Sequence, residues 1–233
     1  MRSLAGKKAI FFDFGDTLAS TDPPFLTRIA MSMREAGLNI SDREFEIKYV
    51  EADYKLYLKH KSTGGMTTED YRQWFLPILY ESLSIESDIE EFRITVRAAM
   101  SKIPFTRVAL PGAHELLDYL KGKGYVLGVI SNNDGYTEEK CEEVGIRELL
   151  DFVFDSTNLD MIKPDSRIFH HALSELGLAP EQAIHIGDMY GADVLGGDNA
   201  GLDVIWANIR SVDKLSDKEV KEVRDLTEIK SII

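Results

Sequence analysis

The chain has 233 residues, 44% of them hydrophobic, and a formal charge of −13. That length allows one large domain or a core with a smaller insert, and that apolar content sustains a packed interior. Acidic residues recur throughout and no lysine or arginine block stands out, which argues against nucleic acid or an anionic membrane as a partner. A small anionic substrate stays open, because a local cation or lysine can reverse the sign inside a cleft. Cys141 is the only cysteine, so no internal disulfide forms, and its charged helical surroundings show no sign of activation. The apolar run at residues 9–12 is far too short for a signal peptide or a membrane span, and no other run is long enough, so a cytoplasmic location is expected. No feature of the sequence speaks to oligomeric state.

In chain order, the first element is the strand Ala9-Ile10-Phe11-Phe12, an uninterrupted apolar run of the kind buried in a parallel sheet. From Leu18 to Pro111 the chain reads as helices alone, near residues 24–35, 42–60, 68–82 and 88–101. Ser41 with Glu44 three residues on gives a capping-box pattern, Gly64-Gly65 breaks the middle, and Thr67 or Thr68 is placed to cap the next helix. Tyr49, Tyr54, Tyr57, Trp74, Phe75, Ile78 and Leu79 can bury one another. Strands then alternate with helices: strands at 126–130, 152–154, 183–186 and 204–207, and helices near 113–120, 138–144, 166–176 and 193–200. The charged stretch 213–224 reads as a solvated helix face. This order predicts an α/β fold, a Rossmann-like parallel sheet with helices on both faces. Its core takes residues 1–20 and 105–233, and residues 21–104 form a small α-helical domain over the sheet.

Polar groups follow three of the strands. Asp13 follows Phe12, Ser131-Asn132-Asn133 follow Ile130, and Gly187-Asp188 follow Ile186. Open parallel sheets bind ligands at that edge, so three such strand ends gather their groups into one site. Asp13 and Asp188 then approach each other, with Asp193 about one helical turn beyond. Clustered carboxylates raise each other's pKa unless a cation is present, and oxygen-only ligands favour Mg2+, which often bridges to a substrate phosphate. The five histidines show no zinc spacing, and His185, inside a strand, reads as a core or supporting residue. Lys163, before Pro164, stands between the serine strand and the Asp188 strand.

Four segments together resemble the haloacid dehalogenase superfamily. Phe11-Phe12-Asp13-Phe14-Gly15-Asp16-Thr17-Leu18 resembles its first motif, Val129-Ile130-Ser131-Asn132 its second, Lys163-Pro164-Asp165 its third, and Ile186-Gly187-Asp188 through Asp193 its fourth. They occur in the family's order, and the helical stretch falls where one subclass inserts an α-helical cap. The resemblance implies a phosphatase acting on a small phosphorylated metabolite. Asp13 is then the nucleophile, forming an aspartyl phosphate. Mg2+ is held by Asp13, the backbone carbonyl of Gly15 and Asp188, with Asp193 anchoring its waters. Ser131 and the amide of Asn132 bind a phosphoryl oxygen, and Lys163 offsets charge on nucleophile and substrate.

One position departs from the pattern. The family's phosphatases carry a second Asp two residues after the nucleophile; this chain has Gly15 there, and Asp16 one step later. On an extended segment one step turns a side chain to the other face, whereas a coiled loop brings it back, so Asp16 is a candidate acid/base only if the loop coils. Three alternatives follow: a slow phosphatase or one for good leaving groups, a non-catalytic binding protein on this scaffold, or a dehalogenase-like hydrolase. The resemblance disfavours the last, because that branch carries a fourth motif rich in serine and asparagine. A signalling receiver, which also uses a strand-end Asp and a lysine, is much shorter and carries paired acids that are missing before Asp13.

Overall fold

In the computed structural model, which describes residues 6–85 and 88–233, the first apolar run is β1 (Ala9–Phe12), with all four residues buried. It lies between β4 (Val126–Ser131) and β6 (Ala183–Gly187), and pairs in parallel with both. β5 (Phe152–Asp155) adds outside β4, and β7 (Asp203–Ala207) then β8 (Lys221–Val223) add outside β6. The order is β5-β4-β1-β6-β7-β8, parallel throughout. A strand covered on both faces has no polar side, which is why these runs do not alternate. Phe12 lies opposite both Val129 and Ile186, so the polar residues that follow emerge along one edge.

The period of two along β1 divides the core. Ile10 and Phe12 face α5 (Ala113–Gly122), α6 (Thr137–Glu143) and α10 (Ile229–Ile232), through Leu116, Leu120, Cys141 and Ile229. Ala9 and Phe11 face the other side, where Ile168, Phe169 and Ala172 of α8 (Ser166–Leu176) pack, with α9 (Gly196–Asn199) beside them. A short helix, α7 (Ser156–Leu159), follows β5. Burial pushes the Cys141 thiol up to about 12, consistent with an inert cysteine.

Between β1 and β4 the chain makes β2 (Ala19–Asp22), four helices, and β3 (Thr106–Ala109). The helices are α1 (Phe25–Glu35), α2 (Asp42–Thr63), α3 (Thr68–Ser82) and α4 (Ile89–Met100), held by Leu26, Ala30, Phe45, Leu56, Phe75 and Leu79. Ser41 caps α2, accepting from the Glu44 amide at 3.2 Å; Gly64, at φ 77°, ends it; Thr67 and Asp70 form a capping box on α3. α2 also packs the other way: Val50, Tyr54 and Tyr57 join Tyr190, Val194 and Trp206 of the sheet region in one cluster.

Three features depart from the sequence-based expectation. The interval from Leu18 to Pro111 is not helical throughout, because β2 and β3 pair as an antiparallel ribbon at the base of the insert. β2 is the polar run Ala-Ser-Thr-Asp, and only its partner, more than eighty residues away in sequence, makes it a strand. Second, residues 213–224 form no helix. They run irregularly into β8, whose Val223 is buried while Lys221 and Glu222 are half-buried, completing the edge of β7. Third, the helix expected from Asp193 opens as a π-turn at Tyr190–Leu195 before α9. Among the described residues, no helix is long and apolar enough to cross a membrane.

Among the glycines of the sheet, the closest approach is at Gly128, where a Cβ would lie 2.1 Å from the Phe152 ring. We expect Gly128→Ala to lower unfolding stability by about 2 kcal/mol, the range of overpacked cores. Gly122→Ala, where nothing lies within 4 Å of an added Cβ, should be neutral or slightly stabilising. Urea denaturation of both variants provides the comparison, and equal midpoints would contradict this packing.

Candidate active site

The C-terminal edge of the sheet gathers the strand-end residues around a cavity of about 610 Å³. Asp13, Gly15, Asp16, Ser131, Asn132, Lys163, Asp188 and Asp193 all line it. Lys163 is at the centre: its Nζ lies 2.6 Å from Asp13 Oδ1 and 2.7 Å from Asp193 Oδ1, and the residue is 1% exposed. An ammonium this deep persists only because carboxylates and hydrogen bonds replace its water. Burial alone would lower its pKa, but Asp13 and Asp193 raise it well above the usual lysine range.

Each neighbour of Lys163 is held in turn. Asn132 binds its main chain twice, the side-chain amide donating to Lys163 O and the side-chain oxygen accepting from Lys163 N, both at 2.8 Å. The Asn132 side chain is thereby committed, and its backbone amide is the group left for a ligand. Asp193 spends Oδ1 on Lys163 and on His185 Nε2 at 2.9 Å, and Oδ2 on the Met189 amide at 2.9 Å. His185 sits in β6 and supports Asp193 from the core; burial lowers its pKa, so the neutral ring donates. Against the cost of burial, Lys163 and His185 hold Asp193 well below the ordinary carboxylate range.

Asp13 and Asp188 are in the opposite condition. Burial pushes Asp13 up to about 7, with Lys163 opposing and Asp193 and Asp188 adding to the rise. Asp188 rises to about 6, again chiefly from burial, with Arg210 opposing. Asp13, Asp188 and Asp193 each offer an oxygen within 4.8 Å of the others. Asp16 and the buried Asp53 line the same cavity, so five carboxylates surround the cations Lys163 and Arg210. The acids outnumber the cations that pair with them, an imbalance that a divalent cation would reduce. This all-oxygen, acid-rich donor set suits a hard cation such as Mg2+, and Asp193, with both oxygens already bonded, suits an anchoring role.

The loop after β1 coils. Leu18 and Ala19 amides both donate to Phe14 O at 3.0 Å, and Asp16 takes φ 53°. The coil turns Asp16 towards the cavity, where its carboxylate accepts from Ser20 Oγ at 2.5 Å and pairs with Arg210. Gly15 needs no positive φ, and an added Cβ there would meet nothing within 4 Å.

Two site residues carried no weight in the sequence reading. Arg210 bridges Asp16 and Asp188 from three residues beyond β7. The strand-end rule that found the others, extended to β7, would have found it. Asp53, in the middle of α2, lines the cavity and accepts from the Gly191 amide at 2.5 Å and the Ala192 amide at 3.1 Å. Burial lifts it to about 8, with those two amides opposing. Nothing in a charged helix distinguishes an acid pointing inward. By contrast, Asp155, another strand-end acid, serves the local chain only, binding Gly135 N, Thr137 Oγ1 and Thr157 N.

Comparison with known proteins finds relatives over most of the chain. Residues 10–207 match the family model described as haloacid dehalogenase-like hydrolase. The chain is 31% identical over 231 residues to the glyceraldehyde 3-phosphate phosphatase of Methanothermobacter thermautotrophicus, covering 97% of this chain and 96% of that protein. It is 27% identical over 203 residues to the pyrimidine 5'-nucleotidase YjjG of Escherichia coli, covering 85% of each. Among solved structures, the HAD-hydrolase YfnB of Bacillus subtilis, bound to magnesium, shares the fold with a TM-score of 0.62 at 22% identity, covering 97% of this chain and 98% of that one.

The central ion pairs yield a stability prediction. Lys163→Met removes the shared cation and leaves Asp13 and Asp193 buried without it. Removing one partner of a buried pair typically costs about 3–5 kcal/mol. We expect a loss of that size in metal-free urea denaturation at pH 8. A loss under about 1 kcal/mol would show that the pairs are not holding the edge together.

Proposed function

The chain belongs to the haloacid dehalogenase-like hydrolase family, and from that premise we propose that it is a Mg2+-dependent phosphatase acting through an aspartyl phosphate on a small phosphorylated metabolite. The observation that supports this most is the Asp13 carboxylate, buried at the end of β1, hydrogen-bonded to Lys163 and opening on a cavity shared with Asp188. In this reading one Asp13 oxygen attacks phosphorus in line with the leaving group, the ester P–O bond breaks, and water then hydrolyses the aspartyl phosphate to release phosphate. Ser131 Oγ and the Asn132 amide bind phosphoryl oxygens. Lys163 reduces the repulsion between an anionic nucleophile and an anionic substrate. Asp13, the Gly15 carbonyl and Asp188 would hold Mg2+, which supplies charge stabilisation to the phosphoryl oxygens, and Asp193 would anchor its waters. Residues 21–104 act as the cap over the leaving group, and residues 1–20 and 105–233 as the hydrolase core. Phosphatase names among the curated relatives favour phosphate esters over carbon–halogen bonds.

Asp16 is the candidate acid/base, and its contacts set the condition. It serves Arg210 and Ser20, so it reaches the leaving group only by exchanging one of them.

A panel of phosphate esters with and without Mg2+ tests the activity. Turnover should require the metal and disappear in Asp13→Asn; unchanged turnover in that variant would place the nucleophile elsewhere. Calorimetry should show Mg2+ binding that is lost in Asp188→Ala. Protons compete with the metal at Asp13 and Asp188, whose values lie at about 7 and about 6. Apparent affinity should therefore rise with pH through that window, with proton release on binding at pH 6.5 and little at pH 8. A flat profile would exclude these two ligands.

Gly15→Asp tests the departure from the family pattern. The position is sterically open, so the added carboxylate enters without backbone strain. A placed general acid gives about 10²–10⁴-fold, and an unoptimised one about tenfold, or roughly 1.4 kcal/mol of barrier. The gain should appear with alkyl esters and not with para-nitrophenyl phosphate, whose leaving group needs no proton. A folded, Mg2+-binding variant with no gain on any alkyl ester would show that the missing acid is not what limits the rate.

A further inference from the structure

The cavity contains a second cationic end that the chemistry at Asp13 does not use. Arg28, on α1, lines the cavity yet is only 5% exposed. Its guanidinium lies over the Phe105 ring, 3.9 Å from the centroid, with Phe25 at 5.8 Å on the same helix. One terminal nitrogen donates to Thr21 Oγ1 at 3.3 Å, and the buried Nε has no hydrogen-bond partner. No carboxylate pairs with it among the described residues. Arg107, on β3 directly opposite Thr21, lines the same cavity, and its one acidic partner among the described residues, Glu143, is more than half exposed. The two cations are close enough that Arg107, after burial, contributes to lowering the pKa of Arg28.

A guanidinium stays charged, and a buried one is ordinarily matched by a carboxylate or phosphate. Aromatic faces stabilise the cation only partly and leave its N–H groups unsatisfied. The site proper is acid-rich, whereas this end holds two arginines and no buried acid paired to either. A guanidinium fork matches two oxygens of a carboxylate or phosphate. We propose that Arg28 and Arg107 form an anion subsite where α1 and β3 line the cavity, and that the substrate is a small phosphate monoester bearing a second anionic group, a carboxylate or a second phosphate. The inference rests on the phosphatase reading for which end of the ligand reacts. The subsite itself is a matter of binding and can be tested without turnover.

The probe is calorimetry with Mg2+ on the Asp13→Asn protein, which retains the cavity. Two matched pairs are titrated: 3-phosphoglycerate against glycerol 3-phosphate, and fructose 1,6-bisphosphate against fructose 6-phosphate. We expect the member with the second anion to bind at least about tenfold more tightly in one pair, and that pair identifies carboxylate or phosphate as the source. Adding Arg28→Met should collapse that ratio to within about twofold. A general loss of structure would weaken both members and leave the ratio in place. Arg107→Gln should lower the same ratio and serves if Arg28→Met does not fold. Equal affinity within both pairs, a ratio that survives both substitutions, or no binding of any of the four ligands to the folded protein would overturn the subsite. Turnover of the same four esters by the unsubstituted chain separates the two ideas. A second-anion preference in binding with no hydrolysis keeps the subsite and removes the phosphatase reading. Hydrolysis without that preference does the reverse.

Discussion

The site is organised around one buried ammonium. Lys163 Nζ touches Asp13 at the end of β1 and Asp193 in the turn after β6, and so ties together two segments whose strands already pair. Its own main chain is tied to Asn132 at the end of β4. Three strand ends are thus fixed through one residue that belongs to none of them. The arrangement also sorts the acids. Asp193, bonded at both oxygens, is held ionised, while Asp13 and Asp188, with fewer compensating contacts, are pushed up by burial. That imbalance is what a divalent cation would relieve, and it follows from geometry rather than from the number of acids in the chain.

The helical insert contacts this centre directly. Asp53 of α2 binds the Gly191 and Ala192 amides, in the turn that separates Asp188 from Asp193. An added Cβ on Gly191 would lie 2.5 Å from the Asp53 carbonyl, so glycine is what permits α2 to approach. Arg43, near the start of the same helix, donates to the carbonyls of Arg210 and Ser211. α2 is therefore in contact with two backbone segments that follow Asp188, the turn just after it and the loop that carries its partner Arg210. A shift of α2 would be felt at that carboxylate through two independent sets of hydrogen bonds.

Arg210 and Gly15 belong to one problem. The loop after β1 carries its second acid one step late, and the coil that brings Asp16 back into the cavity presents it to Arg210 rather than leaving it free. Arg210 then also occupies one oxygen of Asp188. Asn208 and Val212 bond each other across the loop that carries Arg210, which limits how far it can move. A guanidinium here balances two acids at once and sets which of their oxygens remain for other partners.

Much of the fold, and most of the residues that meet at the candidate site, were legible in the sequence, because they depend on local pattern. Unbroken apolar runs are strands covered on both faces, and the residue after each run lies at one edge of a parallel sheet. That reasoning locates Asp13, Ser131 and Asp188 without coordinates, and Gly64 with Thr67 divides α2 from α3 through backbone preference alone. The tertiary structure decided what depends on partners distant in sequence. β2 is polar and becomes a strand only against β3; 213–224 yields a strand because the edge of β7 offers unpaired backbone groups, not because of its own periodicity. Asp53, Arg28 and Arg210 look like ordinary charged residues in the sequence. Only folding removes their water and determines that the first meets two amides, the second two aromatic rings, and the third two carboxylates. Charge is written residue by residue, but what a charge does is set by what replaces its solvent, and that is a property of the folded chain.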